Sequence, residues 1–341
     1  MKNYLEKLIN RENLSTEEMK DAVHYCFTET ATDSEIAAFL TALQAKGETA
    51  DEITGIVDVI RNESSFQATA VSGAMDNCGT GGDKSYSFNI STTSAFVLAG
   101  AGVTVAKHGN RSITSKSGSA DVLEKLGVSL SFSKEQTEEL LQENQIAFLY
   151  APNVHVALKP FTKVRRELRI ATIFNAIGPL TNPITLESQL LGVYRRELMP
   201  ILTEALHKLG RKRAVVVNGA GNVDEATLSG ENQLMLLDNG KITSFTLRPE
   251  DVGLPYYSKD EIRGGDANRN ADILLNVLKG KSGAYYNTTI LNAGIGIFAN
   301  GKAETIEDGI ELARESIDSG AALAKLEFLM NYSKKIPSEV F

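Results

Sequence analysis

The chain has 341 residues, with 35 Lys+Arg against 43 Asp+Glu, a formal charge of −8 and 42% hydrophobic residues. At roughly 150 residues per domain this is a two-domain length of ordinary globular composition, which excludes a largely disordered protein. The acidic balance argues against an electrostatic nucleic-acid binder, no apolar run approaches the roughly 18 residues of a membrane span, and Cys26 and Cys78 alone cannot build a disulfide framework or a thiolate zinc site.

The first 60 residues predict a small helical bundle. No signal-peptide core precedes it, so a cytoplasmic protein is expected. A helix is expected near residues 4–9. Three capping boxes follow, in which Ser15, Thr32 and Thr49 each meet a glutamate three residues later, at Glu18, Glu35 and Glu52. Behind the second box Ile36, Phe39, Leu40 and Leu43 recur at helical spacing up to Gly47, and behind the third Ile53, Ile56, Val57 and Ile60 repeat the stripe. His24 is a lone histidine with a structural or solvent-facing role. From about residue 71 the pattern changes. Short β-rich runs at 103–106, 146–150, 214–218 and 233–237 alternate with helical stretches and glycine-rich turns. The run 242–247 after Asp238-Asn239-Gly240 predicts a hairpin. The fold class is therefore α/β: a small N-terminal α-helical domain, 1–70, and a larger α/β domain, 71–341, around a mostly parallel, mixed sheet. Ligands of such sheets bind beyond the carboxyl ends of the strands.

Three segments carry chemistry. Asp76-Asn77-Cys78-Gly79-Thr80-Gly81-Gly82-Asp83 places three glycines within four residues after a short possible strand. Glycines admit close backbone approach and positive φ, so successive N–H groups can converge on phosphate. A helix start near Ser91, with Asn89, Thr92 and Thr93 at its entry, adds an anion-favouring N-terminus. Alone, this segment reads equally well as a tight turn and an N-cap. Lys107-His108-Gly109-Asn110-Arg111-Ser112 then follows the 103–106 run, with Ser115, Ser117, Gly118 and Ser119 beyond it. It makes a second anion-competent loop, with Lys107 as a point charge for phosphate, or else a solvated charged loop. Asp224 and Glu225, after the loop 219–223, present oxygens suited to a hard cation, though such a pair also begins many helices.

In order and spacing these blocks resemble the signatures of the anthranilate phosphoribosyltransferase family. The resemblance runs through Gly79-Thr80-Gly81-Gly82-Asp83, the block from Ser87 to Thr92, Lys107-His108-Gly109-Asn110-Arg111, the block from Ser117 to Glu124, and Phe174-Asn175 to Gly178-Pro179-Leu180-Thr181-Asn182-Pro183. It covers essentially the whole chain. It implies transfer of the phosphoribosyl group of phosphoribosyl pyrophosphate (PRPP) to the amine of anthranilate, in tryptophan biosynthesis, on a nucleoside-phosphorylase-like fold with the site between the two domains. On matching positions, PRPP falls to Gly79, Gly82, Asp83, Ser87, Asn89, Ile90, Ser91, Thr92, Lys107, Ser115 and Ser119. Anthranilate falls to Gly79, His108, Asn110, His155 and Arg165, and Mg2+, as two ions, to Ser91, Asp224 and Glu225. Lys107 and His108 become electrostatic and positioning groups, and no protein nucleophile is needed.

The resemblance also implies a homodimer through the helical domain, a return of about 163–183 to that domain, and neither nucleic acid nor membrane as a partner. Arg165 suits the substrate carboxylate, because a guanidinium is a planar bidentate donor. Without the family it reads as one member of a surface cluster with Lys163, Arg166 and Glu167. His207 reads as a bland surface residue. The chain departs from the family pattern at Val156, where proline is expected, at Arg169 and Ala171, where glycine and arginine are expected, and at Gly221, where aspartate is expected. A pyrimidine nucleoside phosphorylase and a non-catalytic nucleic-acid-binding relative are the alternatives. The first usually carries a further C-terminal domain and lacks the His-Gly-Asn run. The second fits poorly with the acidic balance and the intact Asp224-Glu225 pair.

Overall fold

The computed structural model describes residues 1–66, 71–112 and 116–336. Helix α1 (Lys2–Ile9) leads into α2 (Thr16–Cys26), α3 (Asp33–Lys46) and α4 (Ala50–Asn62), and each of the last three opens on its expected box. The Ser15, Thr32 and Thr49 hydroxyls accept from the N–H groups of Glu18, Glu35 and Glu52, whose carboxylates accept in return from the cap N–H groups. Glu52 is fully buried, and there it also receives the Leu14 N–H and pairs with Lys46 at 2.9 Å. The apolar stripes meet as intended: Leu40, Leu43, Ile53 and Ile56 share one cluster with Phe161, Val164, Ile173, Ile177 and Leu180 from much later in the chain. His24 is exposed.

Seven strands form one sheet in the order β3-β2-β1-β4-β5-β6-β7. They are β1 (Met75–Asp76), β2 (Val105–Gly109), β3 (Ile146–Tyr150), β4 (Ser188–Gly192), β5 (Arg213–Asn218), β6 (Asn232–Asp238) and β7 (Lys241–Leu247). The pairs among β1–β5 are parallel, and β6 and β7 join antiparallel, so the sheet is mixed as expected. The β6–β7 turn places Asn239 and Gly240 at φ 47° and 87°, the left-handed pair a two-residue hairpin requires. Each sheet face is buried separately. Val215 and Val217 point into one core with α5 (Ile90–Gly100), whereas Ala214 and Val216 point into the core shared with the N-terminal helices.

Two strand expectations need correction. The run at 103–106 begins two residues early and stops three short, because β2 continues through Lys107, His108 and Gly109, paired to Phe148, Leu149 and Tyr150. Buried ladder partners on β3 extend the strand past the point where its apolar character ends. Strand β4 carries no strand signal in its sequence. Its Ser188 and Gln189 look like loop residues in sequence but lie buried at the sheet centre, where Gln189 donates to the Pro179 carbonyl and accepts from Arg211.

Candidate active site

The chain leaves β1 toward β2 and β3 on one side and returns to β4 and β5 on the other, which makes the carboxyl end of β1 a topological switch point. Parallel pairing puts the carboxyl ends of β1–β5 on one edge. The glycine loop, the segment after Lys107, His155, and Asp224-Glu225 therefore share that edge, as expected of loops carried by parallel strands.

Glycines allow the first and last of these to touch. Gly79 bridges Gly192 at the end of β4, and the Asp224 segment lies directly on both. A Cβ at Gly192 would come 1.6 Å from the Asp224 carbonyl oxygen, and one at Gly79 would come 2.3 Å from Asp224 Oδ2. Asp224 Oδ2 accepts from the Gly81 N–H at 2.6 Å, with Gly81 at φ 68°. Glu225 Oε1 accepts from the Ser91 N–H at 3.1 Å, at the start of α5. Burial, together with repulsion from Asp83 and Glu225, holds the Asp224 carboxyl well above the usual carboxylate range. Burial pushes Glu225 up to about 7 despite the nearby Lys107. Asp83 Oδ2 is buried without a hydrogen-bond partner. Three carboxylates are crowded here, two of raised pKa and the third with an unpartnered oxygen, and a hard divalent cation would relieve their mutual repulsion. Among the described residues no group of three or more His, Cys, Asp or Glu side chains is placed to hold a metal ion. The remaining ligands of such a cation would be oxygens of a bound phosphate compound or water.

Lys107 and His108 are 3% and 4% exposed, so the solvated-loop reading of this segment is wrong: both lie inside β2. Lys107 Nζ donates to the Asn77 carbonyl at 3.1 Å. The His108 and His155 rings meet edge to face, with centroids 5.2 Å apart. Burial, reinforced by His155 and Lys107, lowers the pKa of His108 to about 3, and burial lowers that of His155 to about 4, so both rings are neutral near pH 7. His108 Nε2 and both ring nitrogens of His155 lack hydrogen-bond partners, as do Asn77 Oδ1 and Thr92 Oγ1. Buried polar atoms without partners are costly, and although Arg211, Arg213 and Thr288 hold others elsewhere and the Thr181 carbonyl lies beside His155, several gather at this edge, where a ligand could pair with them.

Asn89 occupies the N-cap position of α5, but its side chain makes no capping hydrogen bond. It donates to the Ser117 carbonyl and accepts from Asn270. Ser87 accepts from the Ser85 hydroxyl, and Ile90 is buried beneath the loop. Tyr194 packs beneath Gly82, which sits at φ 86°. Ser119 opens α6 (Ser119–Lys125) and donates to the Asn110 carbonyl, tying these two predicted residues together. Ser115 lies outside the described residues. Arg165 stands apart. Its guanidinium lies over the Phe174 ring at 5.0 Å, and among the described residues it has no hydrogen bond to Asn110, His108 or Gly79. A cavity where the helical bundle meets the glycine loop is lined by Gln44, Glu48, Thr80, Thr172 and Tyr194, and by none of the predicted site residues. Nothing in the sequence assigns Asp76 and Asn182 a role, yet both are fully buried at this edge. The available signal is an aspartate directly after the apolar Ala74-Met75, at the end of a two-residue strand.

The chain matches two family models, described as "Glycosyl transferase family, helical bundle domain" over residues 2–64 and "Glycosyl transferase family, a/b domain" over 72–323. An anthranilate phosphoribosyltransferase of Oceanobacillus iheyensis is 58% identical to it, with 100% of both chains covered. Among solved structures, the anthranilate phosphoribosyltransferase of Thermus thermophilus is 36% identical with a TM-score of 0.92, covering 97% of this chain and 99% of that one. The Saccharomyces cerevisiae enzyme in complex with PRPP and Mg is 27% identical with a TM-score of 0.89, covering 98% of each chain. The yeast enzyme has also been solved with 4-fluoroanthranilate, at 26% identity and a TM-score of 0.87, again covering 98% of each chain.

Proposed function

This chain belongs to the anthranilate phosphoribosyltransferase family, and from that premise we infer that it transfers the phosphoribosyl group of PRPP to the amine of anthranilate. The products are N-(5-phosphoribosyl)anthranilate and pyrophosphate, in tryptophan biosynthesis. The observation that carries the reading is the run of partnerless buried polar atoms and crowded carboxylates along one parallel edge. The anthranilate nitrogen attacks C1 of the ribose as pyrophosphate leaves the opposite face. An aromatic amine is neutral near pH 7, so no strong base is required.

We read Gly79, Gly82, Asp83, Ser87 and the run Asn89–Thr92 as the PRPP cradle, completed by Lys107, Ser115 and Ser119. Lys107, fixed to the glycine-loop carbonyl of Asn77, holds a positive charge toward the leaving pyrophosphate. Neutral His108 and His155 border the aromatic ring with unprotonated imidazoles, Asn110 contacts the same ligand, and Arg165 takes its carboxylate. Asp224, Glu225 and Ser91 would hold Mg2+, with two ions accompanying PRPP. When bound, Mg2+ neutralises charge that develops on the pyrophosphate. Catalysis by the chain's own groups is then positioning and electrostatics.

The same reading divides the chain at about residue 70, with 163–183 returning to the helical part. The shared cluster of Leu40 and Ile53 with Phe161 and Ile177 supports that return. The resemblance carries the homodimer through the helical part, where Ile9 at the end of α1 is exposed. No described helix is long and apolar enough to cross a membrane. Two unpaired cysteines support a reducing, cytoplasmic location.

The test is loss of anthranilate fluorescence on mixing with PRPP and Mg2+, with and without a chelator. Chelator-sensitive loss is expected. No loss with anthranilate, or a preference for aromatic amines lacking the ortho carboxylate, would overturn the choice of acceptor.

A further inference from the structure

Strand β1 is two residues long, and its backbone ladder to β2 rests on Met75, opposite Val105. Beyond that point, side chains satisfy the β2 groups that face β1. The His108 N–H donates to Asp76 Oδ1 at 3.3 Å, and the Ala106 carbonyl accepts from Asn182 Nδ2 at 2.8 Å. The Asn182 amide also donates to Asp76 Oδ2 at 3.0 Å, while its Oδ1 accepts from the Ile184 N–H at 3.0 Å. Both residues are 0% exposed. An Asp–Asn pair therefore replaces backbone ladder bonds at the carboxyl ends of two central strands, where continuing β1 by one residue would have been simpler. Burying a carboxylate there is costly unless its acceptors are filled, and here they are.

The pair touches both halves of the site through its neighbours. On one side, Asp76 precedes Asn77, whose carbonyl holds Lys107 Nζ at 3.1 Å. On the other, Asn182 ends the turn Gly178–Thr181, whose Gly178 and Thr181 carbonyls lie beside the His108 and His155 rings. Asp76 also fixes the His108 backbone directly.

We propose that Asp76 and Asn182 are positioning residues for the transfer, forming an interstrand wedge that sets Lys107 on the PRPP side against His108 and the 178–182 turn on the aromatic side. Neither side chain touches a substrate. Each acts through β2 and the turn, so the reacting nitrogen and the pyrophosphate are placed relative to one another by the same four hydrogen bonds. The inference rests on the transferase reading, which wild-type turnover tests separately.

Asp76→Asn leaves a carboxamide with one accepting oxygen in place of two, so either the His108 N–H or the Asn182 amide loses its partner. Asn182→Ser removes the bridge to Ala106. For both variants, kcat measured well below the melting temperature should fall about 10- to 100-fold, while KM for each substrate changes less than about threefold. A merely structural pair would lower the melting temperature and leave kcat in the folded variants at the wild-type value, and that result would overturn the proposal. Should neither variant fold, the wild-type protein decides. The Asn182 side-chain amide and His108 backbone amide resonances should shift on adding PRPP with Mg2+ and, separately, on adding anthranilate. Signals indifferent to either ligand would also overturn the proposal, even in a fully active wild-type enzyme.

Discussion

Arg165 is partly buried over the Phe174 ring, and among the described residues no carboxylate pairs with it. Its neighbour Lys163 pairs with Asp33 and also feels Glu167 and Arg166, which leaves Arg165 without a charge partner in that cluster. Burial draws the Arg165 pKa below the usual arginine range. A guanidinium that has lost part of its hydration without gaining a counter-charge is poised for a ligand carboxylate. Arg165→Ala should therefore raise KM for anthranilate and leave that for PRPP nearly unchanged. Losing a charge-assisted pair costs roughly 1.5–3 kcal/mol, or about 10- to 150-fold in kcat/KM. Steady-state kinetics with each substrate varied in turn checks this, and an unchanged anthranilate KM removes Arg165 from the aromatic side. Lys107 shows the opposite economy. Its ammonium is almost fully buried and held by a carbonyl, so its position is set before any ligand arrives.

At the scale of elements, the meeting of the glycine loop, β4 and the Asp224 segment leaves no room for a side chain at Gly192. Gly192→Ala forces the Asp224 backbone away, since backbone cannot yield as a flexible side chain does. The expected outcome is a folded protein, destabilised by about 1–3 kcal/mol, that needs more Mg2+ for half-maximal rate. A magnesium titration reads this, and a wild-type response would separate the Asp224 segment from the metal. The helix Lys159–Leu168 ends differently. Its cap, Arg169, adopts φ 55° and ψ 26°, a left-handed conformation natural to glycine, and glycine is what the family pattern carries there. Arg169→Gly relieves that strain at the cost of some unfolded-chain freedom. Stability to urea should rise by about 0.5–1 kcal/mol, and a fall would mean that the arginine side chain contributes contacts outweighing its backbone.

Across the whole molecule, the sheet divides two apolar cores, and the His108–His155 pair sits where the strand edge meets the 178–182 turn. Both histidines have depressed pKa values in the folded protein, so between about pH 6.5 and pH 4 the unfolded chain binds protons that the folded chain refuses. Their contribution is fully present above about pH 6.5 and is lost as pH falls. Going to pH 5 costs about 2 kcal/mol per histidine, at 1.36 kcal/mol for each pH unit. Asp224 and Glu225, with raised pKa values, work in the opposite direction over part of this range. The decisive quantity is therefore the difference between wild type and His108→Asn/His155→Asn in urea unfolding at pH 7 and pH 5. The double variant should lose several kcal/mol less on acidification, and equal losses would mean that the rings titrate normally. Much of this architecture was legible in the residues alone. The three hydroxyl–glutamate boxes, the helical stripes of the first 60 residues, the Asn239-Gly240 hairpin and the order of the glycine and lysine loops are all local patterns, because caps, turns and amphipathic stripes depend on neighbours within a few positions. Other features depended on partners far along the chain. Lys107 became a strand residue because β3 offered a ladder, Ser188 of β4 is met by Asn300 from 112 positions away, and Asp224 reached the Gly81 N–H across 143 positions. Asp76 and Asn182 are ordinary polar residues until the sheet brings them together 106 positions apart. Only tertiary structure could decide these, because a buried polar group is tolerable solely when its hydrogen bonds are met, and the partners that meet them leave no periodic trace in the sequence.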